Sequence, residues 1–174
     1  ITMDNYFEAK ALLFKRLTEG DFAVINADDN YAERFISAVP ENVRRFTYGV
    51  KISADVMAKD INFSLNGAEF TLVTNDGEFP VNLHMNGMFS VYNVLAAVTA
   101  SLAMGIELKV ALKALENVKG VAGRFEVVAK KPLVIVDYAH TPDGLENVLN
   151  SAREITPKDG KLICLFGCGG DRDA

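Results

Sequence analysis

The chain has 174 residues, 49% of them hydrophobic, with 18 Lys and Arg against 23 Asp and Glu for a formal charge of −5. That apolar content excludes a disordered or low-complexity polymer, and an acidic balance without a basic stripe argues against nucleic acid as a primary partner, leaving room for an anion held by a few placed cations. Apolar runs such as 94–98 and 133–136 stop far short of the roughly 20 residues of a membrane span, and Cys164 and Cys168 make no disulfide framework, so a reducing, cytoplasmic setting with no membrane partner is expected.

Ile1 opens the chain without a methionine, already in a helical pattern, and Asp173-Ala174 follow directly on a glycine-rich turn, so a piece of a longer protein is expected. Tyr6, Lys10, Leu13 and Leu17 recur at helical spacing before Gly20, which predicts an amphipathic helix over 3–18 with Lys10 on its apolar stripe. A lysine so placed ordinarily snorkels to water. Held in an apolar site its neutral amine is favoured, the form that reacts with an electrophile such as carbon dioxide. Phe22 to Asn26 reads as a buried parallel strand emptying into Ala27-Asp28-Asp29, and a helix over 31–38 and a second strand over 45–49 follow.

From 55 to 85, alternating runs joined by Asn66-Gly67 and Asp76-Gly77 predict an antiparallel three-stranded meander, because these dipeptides suit tight hairpin turns. Ser90 to Met104, closed by Gly105, reads as a buried helix with Ser90 and Asn93 as its N-cap and third position, and 107–117 as another buried helix. Residues 124–128 and 133–136 read as strands separated by Lys130-Lys131-Pro132, with a domain boundary near 128–132. Thr141-Pro142-Asp143-Gly144 opens a helix with an N-cap, proline at the first position and an acid in the first turn. Lys161 to Phe166 reads as the next buried strand, which would make this region the start of a parallel α/β unit.

Two strand ends carry candidate chemistry. Asp137-Tyr138-Ala139-His140 gathers an acid, a ring and an imidazole where open α/β sheets bind ligands. Gly167-Cys168-Gly169-Gly170 lets backbone approach a ligand, and the Arg172 fork suits a carboxylate or phosphate, although the run is neither a Walker A loop nor GxGxxG. The plainer alternatives are a loop cap for Asp137 and a surface ion pair for Arg124.

Taken together, Tyr6-Phe7-Glu8-Ala9-Lys10, Asn26-Ala27-Asp28-Asp29, Ser90-Val91-Tyr92-Asn93, Gly123-Arg124-Phe125-Glu126, Val136-Asp137-Tyr138-Ala139-His140-Thr141-Pro142-Asp143 and Phe166 to Asp173 resemble the Mur ligases, among them those that add the third residue of the peptidoglycan stem peptide. Gly-Arg-Phe-Glu is shared with folylpolyglutamate synthetases. The resemblance implies an α/β fold comprising the second half of a central ATP-binding domain over 1–129, with parallel strands, antiparallel meander and helices, then the start of a Rossmann-like C-terminal domain over 130–174. It also implies an ATP-dependent amide ligase that phosphorylates a carboxylate for attack by an amine, with ATP and magnesium as cofactors. Its substrates would be a UDP-muramoyl-dipeptide and a diamino acid, diaminopimelate or lysine, in a monomeric parent.

On the same resemblance Lys10 matches a carbamoylated, magnesium-binding lysine, and Asn93 an adenine-side contact. Arg124 and Asp137 match residues at phosphate and ribose, Tyr138 and His140 flank the nucleotide, and Arg172 contacts the carboxylate of the added amino acid. The family often has asparagine where this chain has Ser90. No GxxGK[ST] loop occurs, so this stretch alone is expected to be inactive. Cyanophycin synthetase is the rival enzyme, and a non-catalytic nucleotide-binding module with the same fold is the rival of another class.

Overall fold

A computed structural model describes residues 2–167. Helix α1 (Met3–Lys15) is capped by Thr2, whose hydroxyl accepts from the Asn5 amide at 3.2 Å. Its buried face is Phe7 and Ala11, with Phe14 half-buried beside them, a spacing of four and three residues that stacks side chains on one side of a helix. Phe7 and Phe14 meet Phe35 of α2 (Ala32–Ala38) with ring centroids 4.8 and 5.0 Å apart, and Arg34 lies 4.0 Å over the Phe7 ring while pairing with Asp4 at 2.6 Å.

The expected apolar stripe is therefore out of phase by one residue. Tyr6, Lys10 and Leu13 face outward, because the large aromatic rings at 7, 14 and 35 offer more area to bury and set the helix rotation. Lys10 is exposed, its ammonium 5.0 Å from the Tyr6 ring centroid.

Five strands form one sheet in chain order: β1 (Phe22–Asn26), β2 (Arg44–Gly49), β3 (Val56–Ser64), β4 (Gly67–Thr74) and β5 (Gly77–Leu83). The first three pair in parallel and the last three are antiparallel, so the expected meander is present with its turns at Asn66-Gly67 and Asp76-Gly77. Gly67 has φ +133, and a Cβ there would run into the Leu83 carbonyl, so this turn requires glycine.

Helix α3 (Met88–Ala103) packs Val91, Val94, Leu95 and Val98 on Val56, Ala58, Phe70, Leu72, Val81 and Leu83. It begins two residues ahead of Ser90, with Gly87 at its N-cap. Ser90 is thus a helical residue whose buried hydroxyl donates to the Asn86 carbonyl at 2.7 Å, not the N-cap. Helix α4 (Leu108–Leu115) turns Leu108, Leu112 and Leu115 to the core and exposes Lys109, Val110 and Lys113, so it is amphipathic where a buried helix was expected.

A second, two-stranded sheet pairs β6 (Glu126–Lys130) antiparallel with β7 (Leu133–Val136), and α5 (Pro142–Glu154) follows. The expected division between 129 and 130 falls inside this hairpin, where Ala129 pairs with Val134 and Lys130 with Leu133. Residues 161–167 form no strand, and Ile163, Leu165 and Phe166 are exposed. The only partner β7 has among the described residues is antiparallel β6, and residues 161–167 add no ladder to its other edge.

Thr141 caps α5 as the sequence predicts, its hydroxyl accepting from the Gly144 amide at 3.2 Å. Thr141→Ala is expected to lower unfolding stability by about 1 kcal/mol, the usual worth of an N-cap, measured by denaturant titration. No loss would show that Pro142 alone starts the helix.

Candidate functional site

The β6–β7 hairpin, the loop before it and the start of α5 meet the N-terminal end of α3 around a cavity of about 820 Å³. That volume lies in the range of sites for small organic ligands. Gly87 (φ +85) makes the close approach possible, since a Cβ there would collide with the Phe89 ring and crowd the Ser151 hydroxyl of α5. Five residues singled out from the sequence line this one cavity: Asn93 from α3, Arg124 from the loop, and Asp137, Tyr138 and His140 from the segment after β7.

Local bonding explains how they are held. The Asp137 carboxylate accepts from the Phe125 amide and from the Ala139 amide, each at 2.7 Å, clasping the loop to the strand end. Phe125 is buried at φ +45, a left-handed conformation that a bulky residue adopts only when its surroundings enforce it, and its ring lies 6.0 Å from that of Phe89. Glu126 accepts from the Gly123 amide at 2.7 Å, which folds the loop on the other side of Arg124. The Arg124 guanidinium then sits 5.2 Å from the Tyr138 ring centroid, a cation on an aromatic face, and is exposed to the cavity. His140 packs edge-on to Tyr138 at 5.2 Å, with Nδ1 3.0 Å from the Tyr138 carbonyl.

Asp28 forms a second polar knot. Its carboxylate accepts from the amides of Val50 (2.6 Å), Lys51 (3.1 Å) and Ile52 (2.7 Å) and from the Tyr92 hydroxyl (2.8 Å). Burial pulls this carboxyl upward, but the donors at Val50, Tyr92, Ile52 and Lys51 together leave it below its ordinary value. Tyr92 is pushed up to about 12, first by burial and then by bonding to the Asp28 carboxylate. The knot joins the ends of β1 and β2 to α3 next to Asn93.

Lys10 borders a separate cavity of about 390 Å³ with Asn26 and Asp29 and takes no part in the larger one. Among the described residues no three His, Cys, Asp or Glu side chains converge to hold a metal ion. Arg172 lies outside the described residues.

Sequence reading did not assign the Asp28 to Tyr92 bond, the Asp137 to Phe125 clasp or the place of Asn86 in the cavity wall. The first joins residues 64 apart, which no local pattern reveals. The signal for the last was present in Asn86-Gly87, a polar residue and a glycine directly before a helix.

Residues 1–101 match the profile of the Mur ligase middle domain, and residues 123–174 that of the Mur ligase glutamate ligase domain. UDP-N-acetylmuramoyl-L-alanyl-D-glutamate--2,6-diaminopimelate ligase from Synechocystis sp. is 48% identical over 99% of this chain and 34% of its own length. The protein of the same name from Bacillus velezensis is 46% identical, over 99% of this chain and 36% of its own. A solved structure of a UDP-N-acetylmuramoyl-L-alanyl-D-glutamate--2,6-diaminopimelate ligase superposes with a TM-score of 0.76 at 37% identity, covering 99% of this chain and 36% of that one. The chain thus spans about a third of the length of the curated relatives it matches. With the middle-domain profile alone covering more than half of its residues, the chain belongs to the Mur ligase family.

Proposed function

We propose that the protein containing this chain is an ATP-dependent ligase that joins a diamino acid, meso-diaminopimelate, to UDP-N-acetylmuramoyl-L-alanyl-D-glutamate. The observation that carries this reading is the convergence of Asn93, Arg124, Asp137, Tyr138 and His140 on one 820 Å³ cavity, in a chain whose relatives bear that activity in their names. ATP supplies the phosphoryl group that activates the substrate carboxylate for attack by the incoming amine.

In this reading Asn93 meets the base and Arg124 the phosphates. The Arg124 cation is held ready on Tyr138, so little ordering remains when negative charge arrives. Each Asp137 oxygen accepts one backbone amide and keeps further lone-pair capacity for a ribose hydroxyl. The fork of Arg172 serves the carboxylate of the added amino acid. The two profile matches, over 1–101 and 123–174, support the reading of two domains.

The test is phosphate release by the purified full-length enzyme given ATP, UDP-N-acetylmuramoyl-L-alanyl-D-glutamate and either diaminopimelate or L-lysine. Release that depends on diaminopimelate is expected. Release with lysine alone would change the substrate, and release with neither amino acid would end the reading.

A further inference from the structure

Asn86 directly precedes the Gly87 cap of α3, lines the large cavity and is 5% exposed. Among the described residues its Oδ1 is the one buried side-chain polar atom without a hydrogen-bond partner. A buried acceptor left unpaired bears its full desolvation penalty, so one carried by a residue of the cavity wall calls for a donor from outside the protein. Its neighbours do not supply one. Ser90, four residues on, spends its hydroxyl proton on the Asn86 backbone carbonyl at 2.7 Å.

Asn86, Ser90 and Asn93 follow one another at four- and three-residue spacing, and all three line the cavity. A carboxamide presents an acceptor and donors side by side and turns readily about its last bond, a pattern that pairs in two places with the adenine edge, where an amino group lies beside a ring nitrogen. We propose that Asn86 is a base-reading residue: its Oδ1 accepts from the exocyclic amino group of the purine. This rests on the nucleotide reading of the cavity given above.

The experiment is calorimetric titration of the full-length enzyme with ATP and with purine riboside 5′-triphosphate, which lacks the amino group. The wild type is expected to bind ATP about tenfold more tightly, the scale of one hydrogen bond. Asn86→Ala should bring ATP down to the affinity of the analogue and leave the analogue unchanged, while Asn86→Asp, which keeps the shape and the acceptor, should retain a preference for ATP. Equal weakening of both nucleotides by the alanine change, or no preference in the wild type, would overturn the role of Asn86. Should both variants fail to fold, a crystal structure of the wild type with ADP decides: the base amino group on Oδ1 supports the proposal and a water there overturns it. A wild type that binds neither nucleotide would instead bring down the nucleotide reading as a whole, and Asn86 with it.

Discussion

Asp28→Ala is expected to destabilise the protein by about 3 kcal/mol or more, because it removes an acceptor shared by three backbone amides and the Tyr92 hydroxyl, and hydrogen bonds to a charged group are each worth about 1.5 to 3 kcal/mol without being additive. Asparagine should not rescue it, since an amide nitrogen turned toward those donors repels them. The folded-state carboxyl is lowered, so its contribution is complete above the unfolded value of about 4 and fades as the pH falls through the lower folded value. Equilibrium unfolding of wild type and Asp28→Ala at pH 7 and pH 3 checks both points, and the gap between them should narrow at the lower pH. A gap below about 1 kcal/mol at pH 7 would show that water replaces the carboxylate at little cost.

Arg124→Ala in the full-length enzyme is expected to lower kcat/KM for ATP by about 10² to 10³, equivalent to about 2.7 to 4 kcal/mol, the scale seen when one preorganised charge-stabilising donor is lost. The side chain is exposed and lies over Tyr138, so truncation leaves the packed Phe125 and the Asp137 clasp in place and folding should survive. Arg124→Lys should recover part of the loss, as a point charge without the planar fork. Wild-type kinetics in the alanine variant would remove Arg124 from the site.

The parts of the fold visible in the sequence were those written in local chemistry. The two hairpin turns, the Thr141-Pro142 helix start and the apolar β1 each declare themselves within a few residues. Helix α1 shows where local reading stops: two stripes one residue apart are almost equally apolar, and the choice between them is made by Phe35 on α2, a tertiary partner that periodicity does not contain. The candidate site was legible as residues and illegible as wiring. Arg124 and Asp137 stood out in the sequence, whereas the bond from the Phe125 amide to Asp137 depends on a left-handed residue that no propensity favours.

That same amide offers a way to watch the site. Its proton is directed at Asp137 at 2.7 Å and belongs to a buried residue, so in deuterated solvent it should be among the last of the loop protons to exchange. A ligand hydroxyl that donates to Asp137 draws on the same carboxylate and should move the Phe125 nitrogen and proton resonances. The backbone of one strained phenylalanine thus becomes a resident spectroscopic probe of occupancy, readable without any label at the ligand.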